Sequence, residues 1–113
     1  MPGIARGEVW YASLGPTKGR EQSGLRPVMV ISDDYFNNGP AGLVVTLPLT
    51  TKDRKIVSHV HVKPPEGGLK KKSFIMCEQI RCISRNRLVR PLGKVKPETT
   101  REVEGMIKLI LSL

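Results

Sequence analysis

The sequence predicts a mainly β protein: a small, strongly bent sheet or barrel of five or six short strands, with one C-terminal helix. Two observations carry this reading. Short apolar runs rich in Val, Ile and Leu recur between clusters of Gly, Pro, Asn and Asp as far as Val95. Helical spacing of apolar residues appears only afterwards, at Val103, Met106, Ile107, Ile110 and Leu111, behind Pro97 at a first helical position.

Glu8 to Leu14 (EVWYASL) reads as the first strand, stopped by Gly15-Pro16. Residues 15–25 contain Gly15, Pro16, Gly19 and Gly24, which rules out a helix and leaves a loop. Pro27 holds Arg26 extended, and the unalternating run Val28 to Ile31 reads as a central strand covered on both faces. Ser32 to Pro40 is a turn region with a brief helical turn. In the strand Leu43 to Leu49, Leu43, Val45, Leu47 and Leu49 share one face, and Val44, Thr46, Pro48 and Thr50 point to the other. Pro48 argues for an edge or a bulge there.

Lys52 to Lys55 is a charged turn, Val57 to Val62 an alternating strand, and Lys63 to Gly68 a loop leading into Lys70-Lys71-Lys72. Phe74 to Ile83 is the longest strand expected, with Gln79 and Arg81 on one face. Ser84 to Leu88 is a turn carrying Arg85 and Arg87. Val89 to Val95, interrupted by Pro91 and Gly93, is a bent or edge strand. Glu98 and Glu102 suit the positive end of the final helix, whose expected role is a lid on one mouth of the sheet or barrel.

The 113 residues make one domain, 1–113, and 39% hydrophobic with 26% charged residues is a globular composition. Nineteen Lys and Arg against ten Asp and Glu give a net charge of +9, which favours an anionic partner. Nucleic acid comes first, then an acidic protein segment, then a membrane surface. Fourteen of the basic residues lie between Lys52 and Arg101, a basic belt with four acids in it. Cys77 and Cys82 read as reduced, small core residues of a cytoplasmic protein. No Cys/His spacing suggests a metal site, and no cofactor motif occurs. The N-terminus has no signal-peptide core, and no stretch approaches the ~20 apolar residues of a membrane span.

Arg26, anchored by Pro27 beside a flexible loop, suits a phosphate, because its planar fork donates two parallel bonds and stays charged. An ion pair with Glu21 that pins the loop is the alternative. Glu21 is in turn either a proton acceptor or that structural partner. Thr50 and Thr51 can donate hydroxyl hydrogen bonds to a phosphate oxygen. Gln79 and Arg81 either face the same cleft or form an ordinary exposed strand face. His59 and His61 share a face, but no nearby Asp or Cys completes a ligand set, so a structural role is expected. Trp10 belongs with the first strand's core; Tyr35 and Phe36 are candidates for stacking on bases.

The opening RGEVWYASLGPTKGREQSGLRPVMVIS resembles the N-terminal signature of the MazF/PemK family of toxin endoribonucleases. TLPLTT at 46–51, SHVHV at 58–62 and EQIRCISRNRL at 78–88 match further blocks in order. The resemblance implies an SH3-like β-barrel with a C-terminal helix, acting as a homodimer. It implies metal-independent cleavage of single-stranded RNA, with messenger RNA the expected target, and inhibition by a MazE-type antitoxin with an acidic, disordered tail. Residue by residue, the family's essential arginine matches Arg26, its threonine Thr50 with Thr51 one position away, and its loop glutamate Glu21. Gln22 and Gln79 match glutamines of the signature blocks, and Lys18, Arg20 and Arg81 are the basic residues expected beside them on the RNA. The alternative reading is a non-catalytic SH3-like module that binds RNA or an acidic peptide.

Overall fold

A computed structural model describes residues 3–15, 19 and 24–113. Seven strands, β1 (Glu8–Ser13), β2 (Leu25–Val30), β3 (Leu43–Thr50), β4 (His59–Val62), β5 (Ser73–Met76), β6 (Arg81–Ser84) and β7 (Leu88–Lys94), form one antiparallel sheet. A four-residue helix α1 (Asp34–Asn37) follows β2, and the helix α2 (Pro97–Leu111) ends the chain. The strand order is β4-β5-β3-β2-β1-β7, with β6 pairing β3 alongside β5.

The sheet is bent rather than closed. Among the described residues β4 and β7 form the two ends of the path. Even so, Val9 of β1 and Val60 and Val62 of β4 meet in one buried cluster with Met29, Leu47, Leu49 and Ile75. Strands that far apart in the order share a core only if the sheet curls back on itself.

A second cluster lies across the sheet, built from Ala12, Leu14, Val28, Val30, Val44 and Ile83. β2 and the residue after it supply both: Met29 and Ile31 to the first, Val28 and Val30 to the second. That is why its apolar run does not alternate.

The expected strand Phe74 to Ile83 is broken. β5 and β6 are separated by a 3-10 turn at Cys77–Gln79. The reason lies in β3, whose first half pairs β6 through Thr46↔Arg81 and whose second half pairs β5 from Leu49↔Ile75. Two short strands take successive halves of one long strand, and the chain between them must turn. Pro48 sits in the gap between those ladders, buried and central rather than at an edge. There its missing N–H costs no ladder bond on that side. Cys77 is buried, but Cys82 is exposed on β6, so only one of the two is a core residue.

α2 lies on the curled sheet. Val103 is fully buried, and Met106 and Ile107 pack against the first cluster. The stripe does not stay covered: Ile110 and Leu111 are 40% and 49% exposed. Glu66 anchors the helix start from outside. Its carboxylate accepts the Lys96 N–H at 3.0 Å and the Thr99 hydroxyl at 2.5 Å, doing the work of an N-cap that Lys96 cannot provide.

Glu66 is held there by a tight turn over β7. Gly68 has φ +70°, and a Cβ on it would lie 1.9 Å from the Leu92 carbonyl oxygen. Gly68→Ala should therefore destabilise the protein by about 3 kcal/mol, combining overpacking against backbone with left-handed strain. Urea denaturation measures this; a loss below about 1 kcal/mol would show that the turn moves freely.

Candidate active site

Strand pairing brings the predicted residues together. β2 and β3 pair as Val28↔Pro48, Met29↔Leu47 and Val30↔Thr46. The ladder ends at Val28↔Pro48; beyond it Arg26 and Thr50 have the parity of Val28 and Val44. Arg26 Nη1 donates to the Leu49 carbonyl oxygen at 3.1 Å, which ties the side chain to the end of β3. Thr50 is nearly buried, and its hydroxyl oxygen accepts the Lys52 N–H at 3.2 Å. That bond uses a lone pair and leaves the hydroxyl hydrogen to donate.

Arg81 joins the same face, because Thr46↔Arg81 and Val44↔Ile83 are paired and Thr46 and Thr50 share a parity. The buried Thr46 hydroxyl donates to the Arg81 carbonyl oxygen at 3.2 Å. Gln79, half-buried, ends the turn between β5 and β6 just before this strand. Thr51 differs: it lines a groove on the other side of the sheet, with Tyr11 and Arg90. Thr50, not its neighbour, shares the Arg26 face.

One contributor was absent from the sequence reading. Burial, and then the positive charge of Arg54, hold the Arg26 guanidinium below its usual range; it remains a cation at neutral pH. The chain after β3 thus adds a second positive charge whose field reaches Arg26. Its signal in the sequence was the charged turn directly after Thr50. A guanidinium under a second positive field, at a strand end that also carries a hydroxyl donor, is an arrangement that an anion stabilises.

The other candidates in the first loop, the catalytic candidate Glu21 with Lys18, Arg20 and Gln22, lie outside the described residues. The neck of that loop is described. The Leu14 N–H donates to the Gly24 carbonyl at 2.9 Å and the Gly24 N–H to the Gly15 carbonyl at 3.3 Å. This clasp returns the chain to Arg26.

His59 has a positioning role. Its Nε2 lies 2.8 Å from a Glu78 carboxylate oxygen, and the Ser58 hydroxyl donates to the other oxygen at 2.5 Å. An ionised carboxylate only accepts, so the imidazole donates here. Together they pin the turn whose next residue is Gln79. His61 stacks on Phe74, with ring centroids 5.0 Å apart. Trp10 packs against the second cluster, and its indole N–H donates to Glu8 at 3.1 Å. Tyr35 is 90% exposed, while burial pushes the Cys77 thiol up to about 12, leaving it inert as a nucleophile. Among the described residues, no three His, Cys, Asp or Glu side chains converge as metal ligands, and no helix is long and apolar enough to cross a membrane.

The fold and site together define a small, helix-capped β protein with guanidinium and hydroxyl donors gathered where two strands end. Residues 5–111 match the family described as PemK-like, MazF-like toxins of type II toxin–antitoxin systems, and the chain belongs to that family. It is 32% identical over 111 residues to the endoribonuclease EndoA of Bacillus subtilis, covering 97% of this chain and 96% of that one. It is 36% identical over 111 residues to the endoribonuclease MazF of Staphylococcus saprophyticus, covering 97% and 92%. The fold is also that of MazF from Deinococcus radiodurans, with TM-score 0.88, 23% identity and full coverage of both chains. A mycobacterial endoribonuclease solved with its cognate antitoxin has TM-score 0.77 and 24% identity, over 100% of this chain and 97% of that one.

The Glu78 network makes a pH-dependent prediction. Burial raises the Glu78 carboxyl, but the hydrogen bonds from Ser58 and His59 outweigh it, and the net shift is downward. A carboxyl lowered on folding contributes stability above its unfolded pKa and loses it as pH falls through the folded value. The wild-type advantage over Glu78→Gln should be present at pH ~6 and shrink below pH ~4. Denaturation curves across that range check it; an advantage that does not shrink below that pH would refute the assignment.

Proposed function

We propose that this protein is a sequence-specific endoribonuclease that cuts single-stranded RNA, messenger RNA included, by attack of a ribose 2′-hydroxyl on the adjacent phosphorus. The O2′–P bond forms, the P–O5′ bond breaks, and one proton passes in net from O2′ to O5′. The products are a 2′,3′-cyclic phosphate and a 5′-hydroxyl, and no metal takes part. The observation that carries this is the hydrogen bond from Arg26 to the Leu49 carbonyl, beside Thr50, in a chain of this toxin family.

Arg26 stabilises the charge that builds on the phosphate oxygens, with Thr50 donating a further hydrogen bond and Arg54 adding positive potential. Glu21 is assigned as acceptor of the 2′-hydroxyl proton. Gln22, Lys18, Arg20, Gln79 and Arg81 hold the strand on either side. The natural inhibitor is an antitoxin with an acidic, disordered tail that covers this basic face, and the working unit is a homodimer in the cytoplasm. The complexes of MazE with MazF from Deinococcus radiodurans support the antitoxin assignment.

Purified protein incubated with a mixed single-stranded RNA pool in EDTA, with product ends mapped, tests this. Cleavage at a short recurring sequence with cyclic-phosphate ends is expected; a folded protein that cuts nothing would refute it. Arg26→Ala should lower kcat by about 10²–10³, and Thr50→Val by a smaller factor. Arg54→Gln should mainly raise KM, because it acts through potential rather than contact. DNA of the same sequence should bind and stay intact, since it lacks the attacking hydroxyl.

A further inference from the structure

On the face opposite Arg26 and Thr50 lies a groove of about 510 Å³, lined by Tyr11, Pro27, Thr51, Lys70, Lys71 and Arg90 among others. Its place in the fold follows from pairing. Tyr11 pairs with Pro27, and both have the parity of Val9 and Met29, which enter the interior cluster. Arg26 and Thr50 have the other parity. Yet Pro27 and Thr51 are their immediate neighbours in the chain, so the groove opens where the same two strands end.

The lining is chemically selective. The Arg90 guanidinium lies 4.9 Å from the Tyr11 ring centroid, forming a stacked cation–π platform. Lys70 and Lys71 are exposed at the rim, and the described lining contains no Asp or Glu. Gly68 is shared with an adjoining depression that carries Lys63, Lys94 and Lys96. A flat π platform flanked by lysines fits a nucleotide, which has a stackable base and a negative phosphate. An acidic peptide would use the lysines and leave the platform without a purpose.

We propose that this groove is a flanking-nucleotide subsite. The RNA strand whose phosphate sits at Arg26 passes over the ends of β2 and β3, stacks a base on the Tyr11–Arg90 platform and lays a phosphate against Lys70 and Lys71. This rests on the endoribonuclease reading for the course of the strand, but the groove is tested by binding alone.

The probes are fluorescein-labelled 2′-O-methyl RNAs of mixed sequence, a 12-mer and a 4-mer, which cannot be cut by 2′-hydroxyl attack. Anisotropy is measured over a range of salt concentrations. For Lys70→Gln/Lys71→Gln, Kd for the 12-mer should rise about tenfold and the slope of log K against log salt should fall by about 1.4, two charges at ~0.7 each. For Tyr11→Leu, which keeps an apolar residue in the strand, 12-mer affinity should fall at least about fivefold with the salt slope unchanged. The 4-mer, with fewer phosphates and bases to lay along both Arg26 and the groove, should lose less affinity than the 12-mer in each variant.

Unchanged 12-mer binding in both variants overturns the proposal, as does equal loss for 12-mer and 4-mer in variants whose melting temperature matches the wild type. So does loss of affinity for a poly-glutamate peptide with RNA binding intact, which would make the groove a peptide site. If the wild type cuts no RNA but the variants lose the 12-mer selectively, the groove stands and the endoribonuclease reading falls.

Discussion

The antiparallel pairing of β2 with β3 is the constraint on which the rest depends. Val28↔Pro48, Met29↔Leu47 and Val30↔Thr46 lie at the centre of the sheet, between two buried clusters. A slip of one residue would exchange every side chain between those clusters, so the register is held by burial on both faces. The same register gives Arg26 and Thr50 one parity, and Arg26 bonds the Leu49 carbonyl beside Thr50. Core packing and site geometry are therefore one interaction, and the catalytic candidates inherit rigidity from Val28, Met29 and Val30.

β3 carries the second consequence. Because β6 takes its first half and β5 its second, the chain between them turns at Cys77–Gln79, which sets Gln79 and Arg81 in one short segment. Ser58 and His59 hold that turn through Glu78. The charge of Arg54, in the turn after β3, also acts on Arg26. Basic residues that are scattered in the sequence are thereby sorted onto two faces of one sheet. Arg26 stands at the end of β3 on one face with Arg81 further along it, and Lys70, Lys71 and Arg90 line the groove on the other.

Much of this was legible beforehand. The unalternating β2 run, the bent β7 around Pro91 and Gly93, and the helix after Pro97 all express local patterns that tertiary packing reinforced. Arg26 and Thr50 were legible through a motif, and through the preference of Pro27 for extended backbone. The break in Phe74–Ile83 was not, because nothing local marks it; it arises from competition for β3. Pro48 misled for the same reason: a proline is excluded from a ladder, but not from the gap between two ladders. The exposed end of the α2 stripe also departs from its pattern, since periodicity records what is apolar and not what covers it.

The periodicities, the breakers and the net charge belong to the chain itself, since each depends on neighbours within a few residues. They settle the class of fold and most of its elements, and they favour an anionic partner. Which arginine stands against which threonine, which face Thr51 takes, and how Tyr11 meets Arg90 depend on contacts between residues tens of positions apart. Those contacts exist only after burial of both faces of β2 has selected one register among those that local preference alone would allow.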